Sequence, residues 1–309
     1  MEKSIKVFAP ATVANVACGF DILGLALQYP GDEVEVRMRN SPGLKIINNS
    51  GYADIPEDPK KNTLGVAAQS LLEALGTRQG FEMRILKKIR PGSGIGSSAA
   101  SSAAGVFAIN QLLGMPLGKQ ELVQFAMQGE KAACGSAHAD NVAPALLGGF
   151  VLIRSYHPLD IVPLPFPEEL HCTIVHPQIE LKTEDARRVL RKEIQLKDAV
   201  VQWGNIAGLV AGLFQQDYEL IGRSLQDVII EPVRSMLIPG YEQVKQAAIE
   251  AGAIGCSISG SGPSMFGLSR SQEVAHKVSE GMQQAFSELE VDTEVYISRI
   301  NPEGVLIVG

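Results

Sequence analysis

The chain has 309 residues, 45% of them apolar and 20% charged, with a formal net charge of −7. That length favours two domains over one, and the acidic balance with no basic run argues against a nucleic-acid partner. The cysteines Cys18, Cys134, Cys172 and Cys256 lie far apart with no C-x-x-C pair, and no apolar leader or spanning run is visible; zinc, a disulfide framework and a membrane are therefore not expected, and a cytoplasmic location is.

Apolar and polar residues alternate over 4–10, 32–39 and 81–89, the period of a half-buried strand. Between the last two, Leu64, Ala67, Ala68, Leu71, Leu72 and Leu75 share one face of a helix over 62–76, capped by Asn62 or Thr63 and closed by Gly76. A second helix is expected from Ser97 to Leu113 and a third over roughly 118–133, which carries Glu130 near an end where the helix dipole disfavours a carboxylate. Three prolines in "PLPFPEEL" (163–170) then interrupt the pattern, so the expected division runs 1–166 and 167–309. Beyond it, helices are expected over 183–194, 198–214, 241–251 and 272–289, and strands near 171–176, 254–259, 264–268 and 293–299. That alternation suggests an α+β sandwich of the split βαβ kind.

The segment "IRPGSGIGSSAASSA" (89–103) follows a strand and runs into a helix. A Walker A loop would place a lysine after Gly96, where Ser97 and Ser98 stand, so that reading fails. "GIGSSA" (94–99) matches a dinucleotide fingerprint, but the acidic residue due ~20 residues later falls in a turn and helix start. The remaining reading is physical. A glycine turn opening directly into a helix presents free backbone N–H groups and the positive dipole end to phosphate oxygens. A first-turn serine and Glu130 would suit Mg²⁺, which takes oxygen ligands and few protein groups. The alanine run would let this helix lie close to a neighbour, and a tight turn of small residues kept for packing alone stays open.

Two further stretches bear on that choice. "APATVANVACGFDILGLAL" (9–27), the "PGSGIGSSAASS" loop and "GCSISGSGPSMFGL" (255–268) together resemble, in order and spacing, the three motifs of the GHMP kinase superfamily. "GSAHADNVAPALLGG" (135–149) and "TEDARRVL" (183–190) look most like the members that act on L-homoserine; N-x-x-x-G-F-D at 15–21 and H-A-D-N at 138–141 are the most distinctive elements. The resemblance implies a two-domain fold. Its N-terminal α/β domain has a left-handed β-α-β crossover and its C-terminal domain is a ferredoxin-like α+β sandwich. It also implies ATP-dependent phosphorylation of the L-homoserine side-chain hydroxyl, on the way to threonine, by a homodimer using ATP and Mg²⁺.

By the same resemblance Pro91, Gly92, Ser93, Gly94, Ile95, Gly96, Ser97 and Ser98 form the phosphate loop, Ser98 and Glu130 hold Mg²⁺, and Asn62 with Lys87 or Lys88 lies near adenine. Asn15, Asp21, His138, Asn141, Thr183, Arg187, Arg234 and Gly260 match the acceptor pocket, with Asn15, Asp21 and Asn141 as the catalytic set. The chemistry is apt, since a zwitterion needs a carboxylate for its ammonium and guanidinium groups for its own carboxylate. Arg188 and Arg191 are rivals for the register of Arg187. Which of Asp140 and Asn141 faces the acceptor is open, and the favoured mechanism has no dedicated base. Another small-alcohol kinase of the superfamily is the nearest alternative, and a non-catalytic ligand sensor on the same fold and a nicotinamide-dependent dehydrogenase are the alternatives from other classes.

Overall fold

The computed structural model describes residues 3–87, 89–179, 181 and 183–309, with Lys87 described through its backbone alone. Strand β1 (Ser4–Ala14) pairs antiparallel with the 17-residue β2 (Leu23–Arg39), from Ser4 against Arg37 to Ala14 against Gly24. Next come β3 (Leu44–Asn48), helix α1 (Thr63–Ala74) and β4 (Gly80–Lys87); β3 and β4 are parallel, which requires a crossover, and α1 lies within it. Helices α2 (Ser97–Leu112), α3 (Lys119–Cys134) and α4 (Val142–Leu147) lead to the hairpin of β5 (Phe150–Tyr156) and β6 (Leu159–Leu164), which extends the sheet from the first half of β2.

The second sheet is antiparallel. It takes β7 (His171–Pro177), β8 (Gly255–Ile258), β9 (Met265–Ser269) and β10 (Thr293–Arg299) in the order β10-β7-β9-β8. Ahead of β8 come α5 (Thr183–Arg188), α6 (Leu196–Gln215), α7 (Tyr218–Ser224), α8 (Glu231–Arg234) and α9 (Tyr241–Glu250), and α10 (Gln272–Ser287) follows β9. On α10, Ala275, Val278, Ser279, Met282 and Phe286 recur at helical spacing and are buried, and Ser271 caps its start by accepting from the Val274 N–H. The last strand, β11 (Leu306–Ile307), returns to the first sheet and pairs with β1.

Helix α2 is buried almost all round, as its small-residue composition permits. A Cβ on Gly105 would sit 3.0 Å from Leu64, and one on Gly129 of α3 would meet Ser102 Oγ at 2.1 Å. These contacts let α1 and α3 close on α2, as the alanine run suggested. Three of the departures from the sequence pattern have a plain physical cause. Strand β2 begins nine residues before the expected 32, because Leu23, Leu25 and Leu27 are buried without alternating cleanly with polar residues. The hairpin β5–β6, for which no strands were expected, runs into the proline-rich stretch read as the domain boundary; Pro163 is tolerated because, among the described residues, β6 pairs with β5 alone, which is an edge position. The helix expected over 183–194 stops at Arg188, since Arg191 to Leu196 are exposed and have nothing to pack on.

Candidate active site

A cavity of about 1400 Å³ opens between the two sheets, lined from both halves of the chain. Its floor is the segment ahead of α2. Gly92, Gly94 and Gly96 have φ of 75°, 79° and 70°, a region that side chains disfavour. A Cβ on Gly94 would stand 2.6 Å from the Gly262 carbonyl oxygen, and one on Gly96 2.0 Å from Thr12 Oγ1. Only glycine fits at either position. Gly96 is the N-cap of α2 and supplies no capping side chain, so the helix turns the positive end of its dipole on the cavity without a capping group in between.

Around this turn the loop is pinned by hydrogen bonds. The fully buried Asp32 accepts from the Ile89 N–H at 2.6 Å and from Ser101 Oγ at 2.5 Å. Thr12 N–H donates to the Ile95 carbonyl, and Ser259 Oγ, from the second sheet's β8–β9 turn, donates to the Gly94 carbonyl at 2.8 Å. Ser98 lines the cavity, and Glu130 on α3 reaches it while only 6% exposed. Three expectations for the loop change. Ser93 and Ile95 do not line the cavity: Ser93 Oγ donates to the Arg90 carbonyl, and Ile95 is in the core at 1% exposure. Ser97 lines it, yet its hydroxyl donates to the Ile89 carbonyl, so it fastens the loop. At the adenine end, both ends of the Asn62 amide meet main chain, the Leu64 N–H and the Pro56 carbonyl. The side chain of Lys87 and all of Lys88 lie outside the described residues.

The other end of the cavity is assembled from distant segments. Residues 15–17 take left-handed conformations, with φ of 69°, 40° and 60°, and Asp21 does so too at 60°. This tight turn is held by the Asn15 side chain, whose Oδ1 accepts from the Asp21 N–H and whose Nδ2 donates to the Gly260 carbonyl at 2.7 Å. From outside, the Gln202 amide of α6 donates to the Cys18 carbonyl and to Asp227, which also accepts three N–H groups at the start of α8. Arg187 donates to Asp21 through Nη2 at 2.8 Å and Nη1 at 3.4 Å, and His138 Nδ1 lies 3.5 Å from the same carboxylate. Arg188 pairs with Glu184 and Asp185 and is largely exposed, so α5 turns Arg187 towards the cavity and Arg188 away from it. Arg234, 3% exposed, donates to the Ala186 and Gly260 carbonyls and stacks on Phe20 with Arg187 nearby. Thr183 and Ser261 hydroxyls meet at 3.2 Å.

Burial and neighbouring charge tune these groups. Burial, with Arg187 beside it, lowers Arg234 to about 10. Burial also lowers His138 against the pull of Asp21, so its imidazole is neutral near pH 7. Asp140 is pushed up to about 8 by burial first and then by the charges of Asp21 and Glu130. Asp140 and Asn141 both line the cavity, but Asn141 Oδ1 accepts from Thr12 Oγ1 at 2.7 Å, so its NH₂ is the end left to the ligand. The sequence motifs gave no role to Thr12, nor to His176, which bonds to Ser264 of the β8–β9 turn and lines the cavity with Arg90 and Tyr52.

Residues 62–149 match the family model described as GHMP kinases N terminal domain, and residues 209–288 match GHMP kinases C terminal. The chain belongs to the GHMP kinase family. Curated relatives of full length are homoserine kinases; that of Chlorobium phaeobacteroides (strain BS1) is 50% identical over 320 residues, 99% of this chain and 100% of the relative. The crystal structure of homoserine kinase from Cytophaga hutchinsonii superposes with a TM-score of 0.96 at 56% identity, covering 100% of this chain and 98% of that one. L. major mevalonate kinase shares the fold at 18% identity, with a TM-score of 0.74 over 97% of each chain. Within the family, then, the chain is of the homoserine kinase kind: an ATP-using kinase with an alcohol acceptor.

Proposed function

We propose that the protein transfers the γ-phosphoryl group of ATP to the side-chain hydroxyl of L-homoserine, giving O-phospho-L-homoserine for threonine synthesis. One observation carries the reading: a carboxylate, Asp21, and two inward guanidinium groups, Arg187 and Arg234, share a cavity with an uncapped helix start. Those charges match an α-amino acid, and the helix start matches phosphate.

The Ser98 hydroxyl and the Glu130 carboxylate are hard oxygen donors lining the same cavity, a donor set that fits Mg²⁺. Bound Mg²⁺ would neutralise charge on the transferring phosphoryl group. The main-chain N–H groups of those loop residues that line the cavity would hold the phosphate chain without reorganising, because Asp32, Thr12 and Ser259 already fix the loop. The Asn141 NH₂ would orient the acceptor hydroxyl and cannot take its proton. In phosphoryl transfer through a loose transition state a strong base is dispensable, so the proton leaves late, to phosphate or water. A cytoplasmic homodimer and a division at 166/167 are proposed alongside, the first on the resemblance alone. The two separate sheets support the division, while the return of β11 to the first sheet qualifies it.

The test is coupled ADP release with Mg-ATP, comparing L-homoserine with mevalonate, galactose, L-threonine and no acceptor. Release that depends on homoserine, and is lost in Asp21→Ala and Ser98→Ala, supports the assignment; ATP binding without release for any acceptor overturns it in favour of a sensor.

A further inference from the structure

Three buried side-chain atoms around the acceptor end have no hydrogen-bond partner among the described residues: Arg187 Nε, His138 Nε2 and Asp140 Oδ1. Buried polar atoms without partners are rare and costly, so three around one subsite describe what is missing from it. Arg187 Nε is a donor and asks for an anion. His138, neutral and with Nδ1 turned to Asp21, presents Nε2 as an acceptor that asks for a donor such as an ammonium group, while Asp140 Oδ1, on a carboxyl that burial keeps protonated at neutral pH, can meet either a donor or an acceptor. In the free protein the two groups best suited to a zwitterion, Asp21 and Arg187, are bonded to each other across the cavity, one from the β1–β2 turn and one from α5.

We infer that the Asp21–Arg187 ion pair is a charge lock on the acceptor subsite, opened by a ligand carrying an ammonium and a carboxylate together and kept shut against alcohols that lack either. A zwitterion exchanges one ion pair for two and leaves no charge unmatched. An aminoalcohol takes Asp21 and leaves Arg187 without an anion beside Arg234. A hydroxy acid takes Arg187 and leaves Asp21 without a cation near Asp140. A neutral alcohol matches neither. Asp21 and Arg187 are only 24% and 28% exposed, so water repairs these deficits poorly. The lock rests on the amino-acid reading of the site and adds to it that selection is made by breaking a bond already present.

The test uses the intact protein with Mg-ATP and four acceptors of equal carbon backbone beyond the carboxyl: L-homoserine, 3-aminopropan-1-ol, 4-hydroxybutyrate and propan-1-ol. Relative to L-homoserine, kcat/KM should fall by about a hundredfold or more for each of the others. Supplying the missing charge separately should restore rate to the singly charged pair: formate for 3-aminopropan-1-ol, methylammonium for 4-hydroxybutyrate. Asp21→Asn should shift preference towards 4-hydroxybutyrate and Arg187→Met towards 3-aminopropan-1-ol, while the double variant should use propan-1-ol better than either single variant does. Parallel loss for all acceptors in both single variants would overturn the lock. So would the absence of rescue by either ion in the wild-type protein, a result that needs no variant to fold. Failure to use L-homoserine at all would instead sink the proposed function, whereas use of homoserine and propan-1-ol within about tenfold of each other would sink the lock and leave that function standing.

Discussion

At the phosphate end of the cavity one unbroken stretch, residues 89–103, supplies the turn, the helix start and two serines, and its ties to Asp32, Thr12 and Ser259 are complete. At the acceptor end the groups come from five separate segments, around residues 15–21, 138–141, 183–187, 234 and 260, and three buried atoms there have no hydrogen-bond partner among the described residues. The contrast separates two ways of building a site. On the proposed reading phosphate would be held by backbone, whose geometry is rigid and whose charge is only partial, so the loop can be finished before the ligand arrives. The acceptor would be held by full charges, which cannot be left exposed to one another's fields without pairing, so this end would be closed upon itself until a ligand replaces the pairing.

If the phosphate end depends on close backbone approach, Gly96→Val should give the largest loss. Its Cβ would meet Thr12 Oγ1 at 2.0 Å in a backbone region a β-branched residue avoids. ATP affinity measured by calorimetry should fall by about a hundredfold or more. Gly92→Ala, where a Cβ meets nothing within 4 Å, carries only left-handed strain of roughly 1–2 kcal/mol and should cost less. Equal losses would mean that proximity is not what the glycines provide.

Next, Arg234→Ala removes a buried cation bonded to two carbonyls, and the KM for L-homoserine should rise by about thirtyfold or more, with ATP affinity nearly unchanged. A matching loss of ATP affinity would show that the two ends are one unit. Asp32→Asn should do the converse. It weakens two charge-assisted bonds behind the loop, worth about 1.5–3 kcal/mol each, so the KM for ATP and the melting temperature should suffer while the KM for the acceptor holds.

The smallest effect concerns Asp140. Its proton is held up to about pH 8 in the folded protein but only to its ordinary value of 3.8 when unfolded. Stability from this group is therefore full below about pH 4 and is lost as pH rises to about 8. Thermal unfolding of the free protein should show Asp140→Asn gaining on the wild type from pH 5 to pH 8.5; a pH-independent difference would mean that Asp140 is not the buried acid described.

What could be read from the sequence follows the same division. The loop, α1, α2 and α3 are local patterns of glycine, caps and helical spacing, and they appear nearly where expected. Strand β3 and the β5–β6 hairpin were not legible: β3 is five residues long, and the hairpin contains prolines whose edge position only the assembled sheet reveals. Motif resemblance named Asp21 and Arg187, but nothing local shows that they bond to each other. The same is true of the Thr12 hydroxyl that turns Asn141, 129 residues away in sequence.

The return of β11 to β1 has a consequence for synthesis. Val7 pairs with Ile307 and Lys6 exchanges main-chain hydrogen bonds with Val308 and Gly309, so the outer edge of β1 stays uncovered until residues 306–309 have been made. Until then β1 presents an unpaired strand edge, the kind of surface on which nascent chains aggregate. Residues 306–309 thus act as a clasp, and chains stalled short of them would be the ones most in need of a chaperone.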